Sequence, residues 1–154
     1  MCQKNYPPLG IYPIPKKNIL VLSCIDLRLT DDLLSFLHFD NLTNRYDLIT
    51  MAGASLTASA TTNEHRDMFR ETALNDYDFD DWRKMLEQHI QIAVKLHDIK
   101  DVYITEHEDC GAYENFLKHE VYTGSSEMKL HRDFAMSLGK EINRKEYTNS
   151  KGEK

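Results

Sequence analysis
Two thiols and one imidazole are the groups in this chain best suited to chemistry, and they fall in two short stretches. Val21-Leu22-Ser23-Cys24-Ile25-Asp26-Leu27-Arg28 is an apolar run that ends with a thiol, a carboxylate and a guanidinium at alternate positions. Far downstream, Val102-Tyr103-Ile104-Thr105-Glu106-His107-Glu108-Asp109-Cys110-Gly111 is a second apolar run that ends with an imidazole and a second thiol. Sulfur and imidazole donors suit zinc, whereas magnesium and calcium take oxygen ligands. Cys24, His107 and Cys110 are therefore the expected ligands of a Zn2+ ion, with one position left for water, which the ion makes more acidic. Cys110 directly precedes a predicted helix, whose N-terminal end favours the thiolate.

Residues two apart in an extended segment point to the same side, so Asp26 and Arg28 reach the space near Cys24. The expectation is that Arg28 keeps Asp26 ionised and off the metal, leaving it to accept a hydrogen bond from water in the open position. Released from Arg28, Asp26 becomes a fourth ligand and closes the site. Taken singly, these groups have plainer readings: free cysteine is among the most buried residue types, and an Asp–Arg pair at a strand end is an ordinary ion pair. Their conjunction favours the metal centre. Cys2 is left out of the chemistry. Glu106, Glu108 and Asp109 read as solvated loop residues, and His38, His65, His89, His97, His119 and His131 as surface or partly packed.

The three donors meet only if the two runs are neighbouring strands that end together. Asn18 to Cys24 is continuously apolar, as suits a strand covered on both faces of a parallel sheet. Thr30 is placed to cap a helix through Phe39, with Asp31 and Asp32 in its first turn and Leu33, Leu34 and Leu37 on its buried face. A strand from Tyr46 to Met51 runs into Ala52-Gly53-Ala54-Ser55, a small-residue turn that allows close backbone approach. Leu56 to Asp78 reads as a loop with at most one short helix. Trp82, Met85, Leu86, His89, Ile90, Ala93 and Leu96 recur at helical spacing between about Phe79 and Asp98. A helix is predicted from Ala112 to about His119, then a break at Gly124-Ser125-Ser126. Met128, His131, Phe134, Ala135, Leu138 and Ile142 define a last helix, followed by a frayed polar tail over 143–154. Alternating strands and helices imply an α/β fold with a mainly parallel sheet flanked by helices, in which ligand sites lie at the carboxyl ends of strands.

With 154 residues, 41% of them hydrophobic, one domain over 1–154 is expected. All four prolines fall in residues 1–17, which read either as an extended arm over this or a second subunit, or as a disordered leader. A net charge of -6 without clustered Lys and Arg argues against nucleic acid or an anionic membrane as partner. No apolar run approaches the roughly 20 residues that span a bilayer, and Met1 to Pro15 lacks a basic region followed by an apolar one. A cytoplasmic protein with reduced thiols is expected.

Cys24-Ile25-Asp26-Leu27-Arg28 resembles the Cys-x-Asp-x-Arg motif of the β-class carbonic anhydrases, and His107-Glu108-Asp109-Cys110-Gly111 their His-x-x-Cys-Gly motif. Ala52-Gly53 falls where that family carries an Asn-Ala-Gly turn. The likeness covers roughly Asn18 to Tyr113 and is strongest to a divergent, carbonic-anhydrase-like branch. It implies a β-carbonic-anhydrase-like fold, here shortened at the C-terminus, and a zinc enzyme that converts carbon dioxide reversibly to bicarbonate. It also implies Cys24, His107 and Cys110 as zinc ligands, Asp26 and Arg28 as the gate and orienting pair, and Ala52, Gly53 and Gly111 near the substrate. A homodimer or higher homo-oligomer goes with the same resemblance. Two alternatives share the motifs: a silent zinc-binding homologue with a binding or regulatory role, and a hydrolase of carbonyl sulfide or carbon disulfide.

Overall fold
Three strands, β1 (Asn18–Cys24), β2 (Tyr46–Met51) and β3 (Ile99–Ile104), pair in parallel in the order β2-β1-β3. The structure is a computed structural model and describes residues 17–124 and 126–153. The expected N-terminal arm, apart from Lys17, lies outside those residues, as does Ser125 of the expected chain break. β1 is central, and Ile19, Leu20, Val21 and Leu22 are almost wholly buried because both faces of the strand are covered. One face packs on Leu86, Ile90, Leu138 and Ile142, the other on Leu37 and Leu42. The fold is thus α/β, with a parallel sheet flanked by helices.

Helix α1 (Thr30–Phe39) starts differently from expectation. A 3-10 turn over Leu27–Leu29 precedes it, capped by the Asp26 side chain, and Thr30 is the first helical residue and not a cap. Leu37 is fully buried, while Leu33 and Leu34 are only half covered.

The stretch expected to be a loop is largely helical: α2 (Ser55–Ser59), α3 (Asn63–Arg66) and α4 (Glu71–Asp76). Every residue of α2 is buried, so the element has no polar face and shows no amphipathic period. Helix α5 (Phe79–His97) follows the predicted pattern except at Leu96 and His89, which are exposed. A left-handed Asp98 ends it. After β3 the predicted single helix is two, α6 (Gly111–Phe116) and α7 (His119–Gly124), interrupted where Leu117 bridges to Phe69.

The last helix, α8 (Glu127–Asn143), buries Leu130, His131, Phe134, Leu138 and Ile142, whereas Met128 is exposed. The tail is not frayed as expected, because Asn149 is buried and anchors it. Its amide nitrogen donates to Asp98 Oδ1 and Glu153 Oε2, both at 2.9 Å, and its Oδ1 accepts the amides of Lys151 and Glu153. A cavity of about 610 Å³ runs beside this tail along the outer edge of β3.

Arg83 of α5 is buried and joins three helices. It donates to the Ala58 carbonyl of α2 (3.1 Å), to Glu87 (2.7 Å) and to Glu141 of α8 (2.9 Å). Replacing it with alanine takes Arg83 from two carboxylates. Because Glu87 and Glu141 are about one quarter exposed and Lys145 remains on Glu87, the loss falls below that of a fully buried pair. Arg83→Ala should lower the unfolding free energy by about 2 kcal/mol, read as a drop in the urea midpoint at unchanged slope.

Candidate metal centre
Parallel pairing delivers the carboxyl ends of β1 and β3 to the same edge of the sheet. One further ladder bond, from the Thr105 amide to the Leu22 carbonyl (2.9 Å), carries the downstream chain level with the end of β1. There Cys24, His107 and Cys110 come together, with one donor atom from each lying within 4.8 Å of the other two and the two sulfurs 3.9 Å apart. Zinc–sulfur bonds of about 2.3 Å in a tetrahedron place two thiolates roughly 3.8 Å apart. The donors therefore fit one ion.

The imidazole is already turned for this. His107 Nδ1 lies 2.8 Å from the Glu108 carbonyl, which can only accept, so Nδ1 donates there and the ring turns Nε2 toward the thiols. Nε2 is buried and makes no hydrogen bond among the described residues. A buried ring nitrogen left without a hydrogen bond beside two thiols is what a ligand looks like without its ion.

The thiols are unequal. The Gly53 amide donates to Cys24 Sγ (3.3 Å), a bond that favours negative charge on that sulfur, and Cys110 Sγ lies 3.9 Å from it. The Cys110 thiol, outweighing burial and helped by His107 and the Gly53 amide, brings the Cys24 pKa down to about 4. Cys110 moves the opposite way, because ionising it would end its bond to Cys24 and burial disfavours a second charge. The stabilisation expected for the Cys110 thiolate at its helix start is thus outweighed, and the pair favours ionisation at Cys24.

Asp26 lies outside the donor group, held by Arg28. Arg28 Nη2 reaches Asp26 Oδ2 at 2.7 Å, Nε lies 3.0 Å from Oδ1, and the Arg28 amide also donates to Oδ1 (2.9 Å). These bonds hold the Asp26 carboxyl well below the usual carboxylate range. The pair does not form by strand alternation as expected: β1 ends at Cys24, and Asp26 meets Arg28 by capping the turn that follows. Arg28 Nη2 also donates to the Asp109 carbonyl (3.0 Å), tying the two halves of the site together. A cavity of about 300 Å³ opens beside Cys24 and Asp26, walled by Leu27, Leu29, Leu33, Leu34 and Leu48.

Gly53 sits at φ +70, and a Cβ there would lie 2.9 Å from Ala112 Cβ and 3.2 Å from Leu56. Ala54 follows at φ 45, ψ -107, a strained backbone held by full burial and by its amide bond to the Met51 carbonyl (3.0 Å). The Ala52 carbonyl accepts the Thr57 hydroxyl at 2.7 Å. Gly111 is exposed, opens α6, and has room for a side chain.

Glu106 is not the solvated residue expected. Its side chain is 14% exposed and accepts from the Ser55 amide (3.0 Å), the Ser55 hydroxyl, the Tyr113 hydroxyl (3.3 Å) and His131 Nδ1 (3.0 Å). His131, 5% exposed, also reaches Glu127 Oε1 through Nε2 at 3.3 Å, and the same oxygen accepts the Cys110 amide at 3.2 Å. His131, expected at the surface or partly packed, is instead buried, and no role was expected for Ser55, Tyr113 or Glu127. The available signal was a histidine in the apolar stripe of the last helix, one turn after a glutamate.

Among the described residues the chain is thus an α/β protein with a three-stranded parallel sheet and a Cys-His-Cys group at its carboxyl edge. No family model matches it, and no solved structure does. It is similar to two proteins described as uncharacterized. One, from Rickettsia bellii (strain RML369-C), is 28% identical over 127 residues, which are 82% of this chain and 68% of the relative. The other, from Rickettsia conorii (strain ATCC VR-613 / Malish 7), is 30% identical over 101 residues, 66% of this chain and 46% of the relative. The chain spans less than half the length of the second.

Gly53→Ala combines a strained φ with a clash. It should lower stability by about 2 kcal/mol in urea unfolding, and a midpoint equal to that of the native chain would contradict the close approach. His131 gives a pH dependence. Burial opposes its imidazolium, but Glu106 and Glu127 outweigh burial and raise its pKa. A pKa raised by folding stabilises fully below the unfolded value of about 6.5, and the contribution is lost as pH climbs through the folded value. The stability advantage of the native chain over His131→Gln, measured in chelator, should therefore be larger at pH 6 than at pH 9.

Proposed function
We propose that this chain is a zinc-dependent carbonic anhydrase of the β type, hydrating carbon dioxide reversibly to bicarbonate. The observation that carries the reading is a three-donor Cys-His-Cys group beside an ionised aspartate that an arginine holds clear of it. The resemblance of the Cys24-x-Asp26-x-Arg28 and His107-x-x-Cys110-Gly111 segments to the β-class motifs supports the same conclusion.

In this reading Cys24, His107 and Cys110 hold Zn2+. Zinc, when bound, supplies a Lewis acid that makes water a competent nucleophile near neutral pH. Asp26, kept ionised by Arg28, accepts a hydrogen bond from the attacking water and orients it toward carbon dioxide. Arg28 denies Asp26 to the metal, and closure of the site requires their separation. The Gly53 amide stabilises the Cys24 thiolate. Leucine side chains beside Cys24 and Asp26 suit a small uncharged molecule. A cytoplasmic homodimer or higher homo-oligomer belongs to the proposal. Among the described residues no helix is long and apolar enough to cross a membrane.

Stopped-flow hydration of carbon dioxide by protein of known zinc content tests the proposal. One zinc per chain and hydration well above the buffer rate are expected, with Asp26→Ala lowering the rate about a hundredfold while zinc stays bound. Bound zinc with hydration at the buffer rate points to the silent homologue, or to a carbonyl sulfide or carbon disulfide hydrolase if either is consumed. Protein that takes up no zinc refutes the reading.

A further inference from the structure
The loop that carries two of the three donors is bent in an unfavourable way. Asp109, immediately before Cys110, has φ 54, a left-handed conformation that non-glycine residues adopt reluctantly. Such a bend persists only if its surroundings hold it. The peptide that follows it is gripped at both of its polar groups: the Asp109 carbonyl accepts from Arg28, and the Cys110 amide donates to Glu127 Oε1.

Glu127 is in turn not free to move. His131, one helical turn along α8, holds it through Nε2 and holds Glu106 through Nδ1, and Glu106 is the residue next to His107. The imidazole packs against Tyr113 with ring centroids 3.9 Å apart and planes tilted by 48°. One buried histidine therefore bridges the two carboxylates attached to opposite ends of the ligand loop. If it let go of either, a mostly buried carboxylate would lose a partner.

We infer that Glu127 and His131 are positioning residues of the metal centre, which hold the loop from His107 to Cys110 so that all three donors face one ion. The inference rests on the metal-centre reading. Anchoring α8 alone would not require this arrangement, since Leu130, Phe134, Leu138 and Ile142 already bury that helix. What the polar chain adds is a bond to the amide of a ligand and a bond to the neighbour of another. Groups behind the ligands of metal sites typically change affinity by about 10- to 100-fold when removed.

The test uses the full chain stripped of metal. Zinc affinity is read by competition with a chromophoric chelator, the cobalt(II) spectrum reports coordination, and urea unfolding of the apo-protein runs alongside. Glu127→Ala should bind zinc at least about tenfold more weakly and shift the cobalt bands. Glu127→Gln keeps an oxygen for the Cys110 amide and should recover most of the affinity. Should Glu127→Ala not fold, His131→Gln takes its place, with the same tenfold loss expected. A Glu127→Ala protein, or that substitute, with native affinity and spectrum overturns the inference, as does a Glu127→Gln protein as impaired as the alanine variant. If the native chain itself binds neither metal, the metal-centre reading fails; if it binds both and the variants match it, only the positioning role fails.

Discussion

Parallel strands that pair side by side must end on the same edge of their sheet, and the β1–β3 pairing puts that rule to use. Cys24 closes the middle strand, and the chain leaving β3 passes over that end within a few residues, bringing His107 and Cys110 with it. Covering both faces of β1 with helices locks the pairing, because a slip of one residue would turn buried aliphatic side chains toward the wrong layer. The site thus inherits its precision from the core beneath it.

Charge is arranged around that edge with economy. Of the two neighbouring sulfurs, Cys24 is the one favoured for negative charge, next to the Cys110 thiol and the Gly53 amide. Arg28 answers two needs at once, neutralising Asp26 and gripping the Asp109 carbonyl. Below the thiols, Glu106, His131 and Glu127 form a second charged layer, screened from water by Tyr113 and α8. The two layers touch at the Cys110 amide.

Most of the architecture was legible in the sequence. Strand limits at Cys24 and Met51, the long α5 and the buried stripe of α8 follow from runs and periods that tertiary packing does not override. The meeting of Cys24, His107 and Cys110 also followed, because strand order and direction alone bring them close. The buried α2 was missed because a helix covered on all sides has no polar face for a period to show. The role of Glu106 was missed for a related reason: a glutamate at a strand end looks solvated until its partners, Ser55 and His131, are known to fold over it. The Asp26–Arg28 contact was anticipated but for the wrong cause, since a local capping turn and not strand alternation joins them.

The near-contact between the turn at Gly53 and the first helical turn after Cys110 links positions 53 and 112, which are remote along the chain. Descendants of this sequence that enlarge one of them must leave the other small or move the helix, and moving the helix displaces Cys110. Drift at these two sites is therefore coupled, and paired change between them across a lineage would be a heritable trace of the centre even where the sulfur ligands themselves never vary.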